Sequence, residues 1–254
     1  MDLYLGNKSE EGHRFGMNSM ALHVLAMVLM LSDHLWGTIA HGNEWMTCIG
    51  RLAFPIFAFL TVEGFFHTGN LKRYMGRILI FALISEIPFN LMMSGSLIWP
   101  FHQNVLWSFL ISLCLMRINE KAQAKKKWWI NLLTAAGTLL LGWVLGLVSF
   151  VDYNYSGIMM TMAFYFFHGN KWWQLTGQLL AMTYINFSMG GVVYEFVLFG
   201  KELSFPQQGF ALLALIPIRM YNGKRGTQNK FMKWFNYAFY PAHMLILWLL
   251  MLLS

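Results

Sequence analysis

The sequence predicts an all-α fold: a polytopic membrane bundle of about nine helices, with the N-terminus in the cytoplasm and the C-terminus outside. Three observations predict it. Of the 254 residues, 57% are hydrophobic and 11% charged, where a soluble domain carries about 25% charged residues. Six intervals, 15–32, 87–116, 128–151, 153–170, 172–194 and 234–254, contain no Asp, Glu, Lys or Arg. The cations gather in the short segments between apolar stretches.

A spanning helix needs roughly 20 predominantly apolar residues. Dividing the chain at Gly, Pro, Asn and charge clusters gives helices near 18–36, 50–67, 73–93, 103–118, 129–149, 155–168, 172–189, 207–221 and 236–253. The shorter charge-free intervals, 52–62, 78–85 and 203–218, use one tolerated charge or snorkelling Lys and Arg at their ends. Residues 190–206, opened by Gly190-Gly191 and closed by Pro206, read as a loop or a re-entrant piece.

Cytoplasmic loops collect Lys and Arg. Placing the N-terminus, 68–77, 117–128, 168–171 and 219–233 inside puts 16 of the 18 basic residues there and leaves Arg51 and Lys201 outside. Residues 1–17 form a polar cytoplasmic tail, too polar for a cleavable signal peptide. Residues 18–254 form one transmembrane domain, whose first partner is the lipid bilayer.

The net charge of +7 does not indicate nucleic acid, because the charges lie in short runs rather than on one polar face. Cys48 and Cys114 stand alone, with no C-x-x-C and no zinc spacing. Neither a disulfide framework nor a metal site is expected.

Ionisable groups inside spans are expensive and therefore functional candidates. The topology sorts them into two sets. Toward the outer side lie Asp33, His34, Arg51, Glu86, Asn90, His102, Asn104 and Asp152. Toward the cytoplasm lie Glu63, His67, Lys72, Arg73, Arg77, Tyr221, Asn222, Lys224 and Arg225, with His243 in the inner half of the last helix.

Adjacent helical residues do not face each other, so Asp33 cannot orient His34. A partner from another helix is required, with Asp152 or Glu86 as the candidate carboxylate. Arg51 is expected to pair with Asp33, Glu86 or Asp152, since an unpaired buried guanidinium costs several kcal/mol by rough estimate. Plainer readings compete. Asp33-His34 can be a helix end among headgroups, Glu86 can simply neutralise Arg51 beside the Pro88 kink, and the cytoplasmic cations can do no more than set topology.

Met30-Leu31-Ser32-Asp33-His34, Ile49-Gly50-Arg51-Leu52-Ala53-Phe54-Pro55 and Glu63-Gly64-Phe65-Phe66-His67-Thr68 follow one another in order. Ser85-Glu86-Ile87-Pro88-Phe89-Asn90, Gln103-Asn104-Val105-Leu106, Asp152-Tyr153, Tyr221-Asn222-Gly223 and Phe239-Tyr240-Pro241-Ala242-His243 continue the series. Together they resemble the TraX family of bacterial membrane proteins, linked to N-terminal acetylation of pilin. That family is similar in character to membrane acyltransferases.

The resemblance implies a multi-pass protein of the bacterial cytoplasmic membrane that moves an acyl group from cytoplasmic acetyl-CoA or another acyl-CoA. The acceptor would be an amine or hydroxyl of an extracytoplasmic protein or glycan. His34 is the preferred base and His102 the alternate, with Arg51 as oxyanion or acceptor ligand and Asp33, Glu86 or Asp152 in support. His67, Lys72, Arg73, Arg77, Tyr221, Asn222, Arg225 and His243 are the donor-binding candidates. A proton-coupled carrier and a non-catalytic assembly protein remain as alternatives.

Overall fold

The computed structural model describes residues 16–198, 200–226 and 230–253; the tail 1–15 lies outside them. It is 73% helical. The helices are α1 (Ser19–Thr38), α2 (Glu44–Gly50), α3 (Ala53–His67), α4 (Leu71–Ser94) and α5 (Val105–Gln123). They continue with α6 (Trp128–Val148), α7 (Asn154–Phe166), α8 (Trp172–Ser188), α9 (Leu215–Arg219) and α10 (Lys230–Met251). Four stretches, Ser19–Thr38, Glu44–His67, Leu71–Ser94 and Trp128–Val148, are long and apolar enough to cross a membrane. The chain is a helical membrane protein.

The expected helix near 50–67 starts earlier and is broken in two. Pro55 cannot donate to the Arg51 carbonyl, and the chain turns from α2 into α3 at Arg51-Leu52. The expected helix near 207–221 is a 3-10 segment, Gln207–Ala214, continued by α9.

The segment 190–206, read from sequence as a loop or a re-entrant piece, is an antiparallel hairpin of β1 (Val193–Leu198) and β2 (Lys201–Pro206). The β-branched and aromatic residues of Val-Tyr-Glu-Phe-Val-Leu and the left-handed Gly200 (φ +74°) explain it. The fold is therefore nearly, not wholly, α.

Caps and small residues set the packing. Asn18 accepts the Ala21 N–H at 2.9 Å to start α1, and Asn70 accepts the Arg73 N–H at 3.0 Å to start α4. On α6 only Thr138, Gly142 and Gly146 are buried, while Leu132, Leu133, Leu140 and Val148 face outward. That inverted pattern fits lipid outside and close helix approach inside. A Cβ on Gly146 would strike the Tyr155 backbone of α7. The shared core, including Leu22, Phe54, Ile56, Phe89, Leu113, Met116, Ile158, Met182 and Met244, draws on α1, α3, α4, α5, α7, α8 and α10.

Candidate functional site

α2 and α1 meet through a polar knot. Thr47 donates to Asp33 Oδ1 at 2.7 Å, Arg51 Nη2 donates to Thr47 Oγ1 at 2.7 Å, and Arg51 Nη2 lies 3.3 Å from Asp33 Oδ1. Thr47 and Arg51 share a face because they are four residues apart. Gly50 admits the approach: a Cβ there would strike the Cβ of Asp33. Arg51 therefore has a half-buried carboxylate partner, and of the three candidates it is Asp33. Its Nε has no hydrogen-bond partner among the described residues.

Glu86 belongs to a different link. Asn104 caps α5 by accepting the Leu106 N–H at 3.1 Å, and its amide donates to Glu86 Oε2 at 2.7 Å and to the Ala82 carbonyl at 2.9 Å. Asn104 thus ties α5 to α4 and holds one oxygen of Glu86. The other, Oε1, is buried without a hydrogen-bond partner among the described residues. Asn90 spends its amide on the Leu97 carbonyl at 3.3 Å.

Two loops are tied together above this layer. Gln103 N donates to Phe150 O and Asp152 N donates to Gln103 O, both at 2.8 Å. They bring His102 Nε2 to 3.4 Å from Asp152 Oδ1. That carboxylate pushes the pKa of His102 above its ordinary value, chiefly through the hydrogen bond. Phe150, Tyr153 and Asn154, which flank Asp152, all have positive φ (52°, 62° and 47°). Non-glycine residues rarely adopt that conformation, and it accumulates where tertiary structure enforces a particular geometry. Tyr153 stacks on Phe54, with ring centroids 4.3 Å apart.

His34 meets neither Asp152 nor Glu86 in a hydrogen bond. Its Nδ1 lies 2.8 Å from Nε2 of His243. The sequence reading put His243 in the inner half of the last helix among the donor residues; the structure corrects this. α10 packs along α1 and brings His243 against His34, near the end of α1 opposite the Gly16–Asn222 contact.

The cytoplasmic candidates are arranged as follows. His67 Nδ1 lies 2.9 Å from the Glu63 carbonyl, and Arg225 donates to the His67 carbonyl at 2.6 Å, capping α3. Arg77 Nε donates to the Tyr237 hydroxyl at 3.2 Å. The Asn222 amide donates to Gly16 O at 3.1 Å, and main-chain bonds join Met17 to Met220 and Asn222. The Tyr221-Asn222-Gly223 turn is thus a clasp between the start of α1 and the end of α9. Lys72 and Arg73 are exposed at the start of α4.

One residue absent from the sequence expectations stands out here. His168 Nε2 lies 2.6 Å from Oε1 of buried Glu63. A signal was present: His67-Thr68-Gly69-Asn70 and His168-Gly169-Asn170 repeat one pattern after α3 and α7. Both histidines converge on Glu63.

Comparison with known proteins adds the following. The chain is 34% identical over 73 residues to the "Probable fimbrial assembly protein FimC, serogroup H1" of Dichelobacter nodosus, an alignment covering 27% of this chain and 30% of that one. The match spans less than a third of the relative's length. No solved structure matches. The family model described as TraX protein matches residues 18–251, so almost the whole of the described bundle, including every residue of the outer cluster, falls within it: the chain belongs to the TraX family.

Proposed function

We propose that this chain is a multi-pass protein of the bacterial cytoplasmic membrane, crossing nine times with its N-terminus inside. It transfers an acyl group, acetyl in the first instance, from cytoplasmic acyl-CoA to an amine or hydroxyl of an extracytoplasmic acceptor. A pilin-like protein is the first acceptor to try, because the similar FimC protein is named for fimbrial assembly; an envelope glycan is the second.

The observation that carries the reading is the outer cluster itself. Parts of five helices and two loops bring a histidine free of any carboxylate hydrogen bond, His34, within electrostatic reach of Arg51 and Asp152, which pair with Asp33 and His102. A bundle needing only bulk apolar packing has no reason to gather this set. Exposed Lys72 and Arg73 lie at the opposite end, where coenzyme A phosphates would be met. The helix α3 links the two levels, rising about 15 Å between Ala53 and Glu63.

In the transfer, the acceptor's N–H or O–H gives its proton to His34 as its nitrogen or oxygen adds to the thioester carbonyl carbon. A C–N or C–O bond replaces the C–S bond, and the proton leaves with the thiolate as coenzyme A thiol. The unpartnered Arg51 Nε is a donor for the developing oxyanion.

The test uses the purified protein in liposomes, with labelled acetyl-CoA on one side and a peptide bearing a free amino terminus on the other. His34→Ala should lower transfer by roughly 100- to 10,000-fold and leave insertion intact. Wild-type turnover in that variant removes His34 from the role. Wild-type protein that neither transfers acetyl nor gains heat resistance from acyl-CoA overturns the acyl-transfer reading.

A further inference from the structure

We propose that His243 is a positioning residue that fixes the tautomer of His34, so that Nε2, and not Nδ1, is the basic atom of the outer site. The consequence for catalysis rests on the acyl-transfer reading above, whereas the assignment of protons rests on geometry alone.

Four histidines sit in helices with described contacts, and three behave alike. His23, His67 and His243 each place Nδ1 2.8–2.9 Å from the carbonyl four residues earlier, on Ser19, Glu63 and Phe239. A carbonyl only accepts, so these nitrogens carry hydrogen. His34 departs from the pattern. Its Nδ1 turns away from its own helix and meets another imidazole.

A proton is needed between two nitrogens 2.8 Å apart. His243 cannot supply it as a neutral ring, because its single hydrogen is on Nδ1, committed to Phe239. Nothing about the His243 ring calls for a second. Its ring neighbours are Phe239, Tyr240 and His34, and no carboxylate forms an ion pair with it among the described residues. His243 Nε2 is therefore the acceptor, His34 Nδ1 is the donor, and the lone pair of His34 is on Nε2.

Ring geometry agrees. The planes are within 12° of parallel and the centroids 5.0 Å apart, while the 2.8 Å contact between nitrogens is shorter than stacked faces allow. The rings lie side by side in an N–H···N hydrogen bond rather than face to face.

An unconstrained imidazole divides its time between two tautomers, and only one presents its lone pair at Nε2. In the chain Phe239 carbonyl, His243, His34, each hydrogen bond dictates the next, and the last nitrogen is left bare. A base whose orientation and tautomer are set in advance does not have to find them at each turnover. The orienting partner that the sequence sought among carboxylates is thus a second histidine held by a backbone carbonyl.

The test uses the full chain labelled with ring-15N histidine, in bilayers, read by solid-state NMR and by acetyl transfer. Signals lost in His34→Ala identify His34 in the wild type; they should show a protonated Nδ1 and a bare Nε2. His243→Phe, which keeps a ring but no acceptor, should give mixed His34 tautomers and about 100-fold slower transfer. His243→Gln offers an amide oxygen near the position of Nε2, and should restore the tautomer and at least a tenth of the transfer.

A wild-type His34 with protonated Nε2 overturns the proposal, as does a His243→Phe protein with unchanged tautomer and rate. If His243→Phe does not fold, His243→Gln decides: loss of the tautomer in that folded variant also overturns it. Absence of transfer in the wild type would count against the acyl-transfer reading alone, because the nitrogen spectrum still reports on His243.

Discussion

At the scale of single residues, the outer site depends on a missing side chain. Gly50 lets α2 press against Asp33, and an added Cβ would strike the Asp33 side chain. Gly50→Ala should therefore destabilise the protein by about 1–3 kcal/mol, as overpacking does, and should pull Asp33 from Thr47 and Arg51. Gly37→Ala in α1 is the control, since a Cβ there meets nothing within 4 Å and alanine is the better helix former. Thermal unfolding of both variants decides: equal losses would show that the Asp33 contact is not the cause. His102 gives a second test. Its pKa is raised by Asp152, so the stabilisation is fully present below the ordinary histidine value and is lost as pH rises through the raised one. The Tm difference between wild type and His102→Gln should be larger at pH 6 than at pH 8.5. It should correspond to less than about 1 kcal/mol, because both side chains are over a quarter exposed and water screens the pair. A difference that does not change with pH would remove the ion pair as its origin.

At the scale of elements, Asn104 does three jobs, capping α5, holding Glu86 and bonding the α4 backbone at Ala82. It has no solvent exposure, so no water replaces the lost partners in a variant. Asn104→Ala should cost about 2–4 kcal/mol, the sum of a cap and a buried hydrogen bond to a charged group. Asn104→Asp should do worse despite keeping the cap, because it sets a second carboxylate against Glu86. A thermal scan showing Asn104→Asp at least as stable as Asn104→Ala would contradict this. Gln103-Asn104 was visible in the sequence as polar residues opening a helix near 103–118. Its bond to Glu86 was not, because spacing within the chain reveals which residues share a helix face but not which helix that face will meet.

At the scale of the whole molecule, the proposed nine-crossing topology would put the hairpin outside and the 117–128 loop inside. Ser204→Cys, in a background lacking Cys48 and Cys114, should react with a membrane-impermeant maleimide in intact cells, and Lys126→Cys only after lysis. The reverse result would invert the assignment of both sites. The sequence was enough to identify a membrane-embedded helical protein, because composition and charge-free length decide where a backbone must satisfy its own hydrogen bonds. It also grouped Asp33, His34, Arg51, Glu86, His102 and Asp152 by depth, since depth follows from counting residues along a helix. It required a buried partner for Arg51, and Asp33 was among its candidates. Which residues pair with which became legible in the packed bundle. His243 lies 209 residues from His34 and His168 lies 105 from Glu63, and both meetings depend on how helices distant in sequence lean together. A packed bundle fixes those neighbours through side-chain fit and close approach at residues such as Gly50 and Gly146, which no local pattern encodes.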